Sequence, residues 1–408
     1  MNKAIFICLF ILVTISLCGE TVRVKRENTP LREGPGAWYE VLTTIPKDYD
    51  LEKLEQEEDD YGQWLKVKFN DIAGFVSLVS TKDLPPKKDI FAVMAKQYTS
   101  TTANRHSVSA GVKGFGQRFS KTFKGSSSFV EDAMTYNINP KDYKKFKKAT
   151  YKGFSLRRNR KKVKLPKKEK EEYFTEAETG LGLGIASVIA EQGLYLDKEL
   201  QNYINFVGLQ LVEAFDLTEI NFKFYILKLN NPNAYATPGG LIFITKGMLD
   251  LCDNEAELAV VLAHEVVHVA YNHGMKEIVE RKNHISAENL FIELDSEISF
   301  DDNSQTVEKE LEEDAFKIYE TLIEGRLDQY EKEADRVGMI VAARAGYDPH
   351  GLLKMLDKIG RNTVKSNNQH YRPDIITQRK GWVAEYLQKA TFPKNLFHHE
   401  DRFKMNTN

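Results

Sequence analysis

The chain has 408 residues, 42% of them hydrophobic and 28% charged, the balance of a globular protein with room for two or three domains. A formal net charge of −2 gives no overall basic bias, so composition argues against a chain devoted to nucleic acid or to anionic membranes. Three cysteines, Cys8, Cys18 and Cys252, exclude a disulfide-built scaffold.

Residues 1–19 read as a secretory signal. Lys3 precedes an apolar run of 14 residues, Ala4 to Leu17, where a spanning helix wants about 20. Cleavage is expected near Cys18-Gly19-Glu20. Cys18 also offers a lipidation point, although Leu17 is larger than the residue usually found before such a cysteine. An uncleaved N-terminal anchor is the alternative. The expected location is the periplasm or cell envelope, with membrane association through lipid or anchor.

Residues 20–83 predict a compact β module. LKVKF (65–69) alternates apolar and charged residues, and GFVSLV (74–79) follows across Asn70-Asp71. TPLREGPGAWYEVLTTI (29–45), GQWLKV and GFVSL resemble bacterial SH3 domains, with Phe75 where that family usually has tryptophan. The resemblance implies a small barrel that binds cell-wall peptides or serves targeting. A spacer without a ligand is the plainer reading.

Residues 84–172 read as a basic connector. Lys141 to Glu172 carries a local net charge of +11, with aromatic residues interleaved. That mixture suits nucleic acid, but export argues against it, so no nucleic-acid partner is expected. A solvated, partly helical connector fits better. LGLGIASVIA (181–190) is too short to span a bilayer and reads as a core helix.

The chemistry concentrates in NEAELAVVLAHEVVHVAYNHGMKEIVE (254–280), read as one buried helix. His264 and His268 lie four residues apart, so they project from one face and can grip one ion. Glu265 sits on the flank, where a carboxylate can reach a water on the metal. A second helix pattern, LDQYEKEADRVGMIVAARAGYDP (327–349), places Glu331 and Asp335 on one face. Glu331 is a candidate third ligand, and Asp335 a candidate orienter of a ligand histidine. Solvated acids, and hydrogen-bonded core histidines, are the plainer readings. Between the two patterns, residues 285–325 carry a net charge of −11, suited to a lid or to pairing with the basic connector.

Four stretches taken together resemble the zinc metallopeptidase family of the CAAX prenyl protease, Oma-type proteases and the periplasmic β-barrel assembly-enhancing protease. They are YINFVGLQLVEAF (203–215), NAYATPGGLIFITKGMLDL (233–251), NEAELAVVLAHEVVHV (254–269) and EKEADRVG (331–338). The resemblance implies one zinc ion per chain on His264, His268 and Glu331, with Glu265 as acid/base for attack by a zinc-bound water. It implies a multidomain fold: the SH3-like barrel, then a mainly helical α+β zincin-type domain over 173–395 with a short edge-strand sheet, then a tail, 396–408. Leu241 to Thr245 reads as a strand, and the resemblance makes it the edge that pairs with an extended polypeptide substrate. Asn233, Ala234, Gly239, Gly240, Leu241 and Ile242 are the residues implied there.

The chain departs from that family in three places. Leu327-Asp328 replaces the usual Ser-Arg. Arg372-Pro373 replaces His-Pro, with Arg379 further on. Arg372 and Arg379 are therefore the expected oxyanion donors. The acidic 285–325 segment is the third departure. The expected activity is endopeptidase cleavage of envelope or misfolded proteins. An exported binding or chaperone-like protein with a latent or structural zinc site is the alternative.

Overall fold

A computed structural model describes residues 20–54, 62–83, 124–168, 174, 176–277, 326–366 and 373–407. The signal, the acidic 285–325 segment and Arg372 lie outside the described residues.

The N-terminal strands are β1 (Thr21–Arg23), β2 (Thr29–Arg32), β3 (Val41–Ile45), β4 (Asp50–Lys53), β5 (Trp64–Phe69) and β6 (Ile72–Ser77). They form one antiparallel sheet in the order β1-β4-β5-β6-β2-β3. Alternation puts Leu31, Leu51, Val67 and Val76 inside, fully buried with Val24 and Ile45. Asn70 takes a left-handed conformation (φ 53°) in the two-residue turn between β5 and β6, which asparagine tolerates. Trp38 stays out of that core. It packs edge-on against Tyr143, ring centroids 5.4 Å apart, in a cluster with Ile138 and Leu209. Ser77 Oγ lies 2.8 Å from Thr218 Oγ1, and Ser80 Oγ donates to Glu219 at 3.1 Å. The sheet is thus docked on the rest of the chain.

Helices α1 (Ser127–Thr135), α2 (Pro140–Thr150) and α3 (Leu156–Lys162) start at serine or asparagine caps, Ser126, Asn139 and Ser155. The expectation of a solvated connector is corrected here. Phe129, Tyr143 and Leu156 are buried, and they join the main apolar clusters. Polar side chains tie the segment down as well: Lys147 pairs with Glu213 at 2.8 Å, and Asn159 Nδ2 donates to the Ala343 carbonyl at 2.8 Å.

The remaining elements are α4 (Glu176–Ala190), α5 (Lys198–Ala214), β7 (Lys223–Leu227), β8 (Ala234–Ala236), β9 (Leu241–Thr245), α6 (Lys246–Leu251), α7 (Glu255–Ala270), α8 (Asp328–Arg344), α9 (Gly351–Ser366), α10 (Pro373–Lys389) and α11 (Glu400–Thr407). Helix α7 is buried along its whole length and packs against α5, α8 and α9. None of the helices among the described residues is long and apolar enough to cross a membrane.

The second sheet runs β7-β9-β8, with β7 parallel and β8 antiparallel to β9. This corrects the expected edge. Leu241 and Ile242 lie on a central strand whose hydrogen bonds are taken on both sides, so β9 has none left for a substrate; the outer strand is β8. The expected tail is also corrected: Phe403 of α11 is buried, and Arg402 holds the buried Glu255 at the start of α7.

Candidate metal centre

Helix α7 begins with a reciprocal cap. Asn254 Oδ1 accepts from Glu257 N at 3.1 Å, and Glu257 Oε2 accepts from Asp253 N at 2.8 Å. The helix closes at Tyr271, and Asn272 turns left-handed (φ 51°). The chain is helical again over 273–277, so the expected single helix through residue 280 is two segments with a corner at Asn272. Helix α8 crosses α7 closely because Gly338 lies at the crossing. A Cβ there would stand 3.0 Å from His264 N and 3.2 Å from His264 Cα.

That crossing brings three side chains to one point. His264 Nε2 and His268 Nε2 are 3.0 Å apart; Glu331 Oε2 lies 3.5 Å from the first and Oε1 3.4 Å from the second. Bonds of about 2.0–2.1 Å to a tetrahedral zinc would set ligand atoms roughly 3.4 Å apart. The donor set fits zinc in type and in spacing. Among the described residues it is also the group of His, Cys, Asp and Glu side chains placed closely enough that it could hold a metal ion. Glu265 is buried one residue from His264.

Supporting groups fix these ligands. Asp335 Oδ1 lies 2.9 Å from His264 Nδ1. Arg379 of α10 turns toward the carboxylates: Nε and Nη2 donate to Asp335 at 3.0 and 2.6 Å, and Nη1 lies 2.9 Å from Glu331 Oε2. Each guanidinium nitrogen is thus within reach of a carboxylate. Trp382 Nε1 also donates to Asp335, at 3.0 Å. On the far side, His268 Nδ1 lies 2.9 Å from His273 Nδ1.

The charges settle accordingly. Burial opposes ionisation of Glu331 and Asp335, but Arg379 and His264 outweigh it and hold both carboxyls below their ordinary range. Burial likewise opposes charge on His264, yet the same two carboxylates raise it to about 9. Burial lowers His268, and it lowers His273 to about 3. Burial raises Glu265, against the pull of His264 and Arg326. A buried carboxyl lifted in this way is suited to passing a proton.

The outer strand β8 runs beside α7. Asn233 O accepts from Thr245 N and Thr237 N donates to Leu241 O, so Ala234 and Ala236 turn their peptide groups away from β9. Ala236 O accepts from Arg326 Nη2 at 3.2 Å, and Ala234 N donates to Asn233 Oδ1 at 2.8 Å. Gly239 and Gly240 form the turn into β9 with positive φ values of 84° and 96°. Ala234, expected at the substrate edge, is the first residue of the outer strand, Asn233 stands just before it, and the two glycines carry the turn.

Residues 198–395, containing this centre, match the profile of Peptidase family M48. These residues are a Peptidase family M48 domain. The match supports a metallopeptidase function for the M48 domain. The chain is 30% identical over 170 residues to the Beta-barrel assembly-enhancing protease of Yersinia pestis, covering 42% of this chain and 35% of the relative. It is 29% identical over 164 residues to the protein of that name from Escherichia coli K12, covering 40% and 33%. It is 24% identical over 157 residues to the Mitochondrial metalloendopeptidase OMA1 of Schizosaccharomyces pombe, covering 38% and 43%. The chain thus spans 33% to 43% of the length of these relatives.

Sequence reasoning missed His273, Glu333, Arg326 and Trp382. The signal for His273 was the Asn272-His273 pair just after the apolar helix pattern, since asparagine is common at a left-handed helix end. Arg326, Glu333 and Trp382 carried no local signal.

Proposed function

We propose that this chain is a zinc-dependent metalloendopeptidase that cleaves extended polypeptides laid along β8. The convergence of His264, His268 and Glu331 on one point between two helices carries the reading. Zinc, when bound there, supplies Lewis acidity that sharpens water as a nucleophile and polarises the scissile carbonyl. The chain's own residues do the rest. Glu265 takes the proton of the attacking water and returns it to the leaving amine, so one carboxyl serves both halves of the reaction. The outward Ala234 carbonyl and Ala236 N–H offer main-chain hydrogen bonds to substrate, while Ala234 N already donates to Asn233 Oδ1. Arg326 already donates to the Ala236 carbonyl, so a substrate N–H must share that oxygen or displace the guanidinium. Arg379 and Asp335 hold Glu331 and His264 in place. Arg372 remains the expected second donor to the oxyanion.

The wider reading follows from the sequence. The apolar N-terminus points to export, with Cys18 as a lipidation point, and the names of the bacterial relatives favour envelope proteins as substrates. The N-terminal sheet is read as the SH3-like module, with cell-wall peptide as its ligand. Casein digestion by the purified chain tests the central claim. Wild type is expected to cleave, a zinc chelator to stop it, and Glu265→Gln to retain zinc while losing at least about 100-fold in rate. Cleavage by Glu265→Gln at the wild-type rate would refute the assignment.

A further inference from the structure

His268 leads into a second row of polar groups that the chemistry above leaves unused. Its Nδ1 is 2.9 Å from His273 Nδ1. His273 Nε2 is 3.2 Å from Glu333 Oε2, and that same oxygen is 2.5 Å from Lys168 Nζ. The His273 ring is fully buried and lies against Tyr330, centroids 4.6 Å apart. Lys168 also sits over the face of Tyr271, 4.6 Å from its centroid.

Hydrogen counting permits one arrangement once His268 turns the Nε2 lone pair toward a cation. Its Nδ1 must then carry the hydrogen and donate to His273 Nδ1. His273 accepts there, so its own hydrogen is on Nε2 and goes to the Glu333 carboxylate. The other tautomer of His273 would set two N–H groups against each other at 2.9 Å. His264 meets a carboxylate directly, at Asp335. His268 meets one at one remove, through an imidazole carried round the corner at Asn272.

We propose that His273, with Glu333 and Lys168, is a positioning relay that fixes the tautomer and direction of His268, and so governs how tightly the site keeps its metal. Lys168 precedes the M48 match, which begins at residue 198, so metal retention depends on a lysine outside that match. The inference rests on the zinc reading of His264, His268 and Glu331. Aligning a ligand through its outer hydrogen bond is commonly worth about 10- to 100-fold in metal affinity.

The test is zinc affinity of the full chain by competition with a chromogenic chelator, beside the melting temperature of metal-stripped protein. His273→Leu removes the acceptor and is expected to weaken zinc about 10- to 100-fold. His273→Asn keeps an oxygen near the place of Nδ1 and is expected to recover most of that loss. Glu333→Ala, at a partly exposed position, is expected to lose roughly tenfold without a change in metal-free melting, and Lys168→Ala somewhat less. If His273→Leu does not fold, Glu333→Ala decides. Zinc binding by both variants within twofold of wild type would overturn the relay, as would an asparagine variant no better than leucine. Wild-type protein that binds no zinc would instead overturn the reading beneath it.

Discussion

Arg379→Leu puts the support of the metal centre to a quantitative test. The guanidinium is buried and within 3.0 Å of Asp335 and Glu331, and the Asp335 side chain is wholly inaccessible. Leucine leaves Asp335 with Trp382 and His264, and among the described residues it leaves Glu331 with the two histidines as its ion-pair partners. Removing one partner of a buried ion pair typically costs about 3–5 kcal/mol, because the remaining charge stays desolvated. At about 2–4 °C per kcal/mol for a domain of this size, the metal-free protein should melt roughly 6–20 °C lower. Denaturant unfolding in chelator reads that loss without a contribution from zinc. Arg379→Lys keeps the charge but not the fork, and should recover about half of it. Activity separates positioning from oxyanion stabilisation. A positioning role predicts weakened zinc affinity, with turnover returning at saturating zinc. An oxyanion donor predicts a loss of about 100- to 1,000-fold in kcat with zinc affinity intact. A leucine variant destabilised by less than about 1 kcal/mol would show that the ion pairs contribute little, and the argument from burial would fail.

Two further predictions address packing and pH. Gly338→Ala adds a methyl 3.0 Å from the His264 backbone. Overpacking of about 1–3 kcal/mol should exceed the helix-propensity gain of about 1 kcal/mol, giving a small net loss of stability. Because metal sites tolerate about 0.2 Å of displacement, zinc affinity should fall about tenfold as α8 withdraws Glu331, and chelator competition that finds no change would refute it. Lys223 is buried, its Nζ donates to Ala133 O, and burial lowers it to about 8. Its folded pKa lies below its unfolded value, so the cost of charging it is present in full below pH 8 and vanishes as pH rises from about 8 toward 10.5. Wild type should therefore gain about 3 kcal/mol relative to Lys223→Met between pH 7 and pH 10.5. Parallel urea titrations at the two pH values check this, and curves that stay equally spaced would contradict it.

What the sequence made legible followed local periodicity. His264, His268, Glu331 and Asp335 were readable because helical spacing puts each pair on one face. The strands at Trp64–Phe69 and Ile72–Ser77 were readable from alternation and the Asn70-Asp71 turn. What was hidden is non-local. The strand at Leu241–Thr245 was readable, but one short apolar strand does not encode its place in a sheet; the edge role came from the family resemblance, and β8 lies outside it. Arg379 finds Asp335 across 44 positions of sequence, which no window samples. The α1–α3 segment looked solvated because its charges outnumber its aromatics. Yet Phe129 and Tyr143 are buried and seat these helices against the rest of the chain. The break at Asn272 was lost in a run that otherwise suits a continuous helix.

The docking of the N-terminal sheet has a mechanical consequence. Trp38 is wedged against Tyr143, and Ser77 and Ser80 grip Thr218 and Glu219, only a few residues ahead of β7, which begins the second sheet. A module fastened at those points does not swing like a bead on a tether. The sheet is therefore held at one bearing and one reach from the histidine pair, a fixed ruler beside the candidate metal centre.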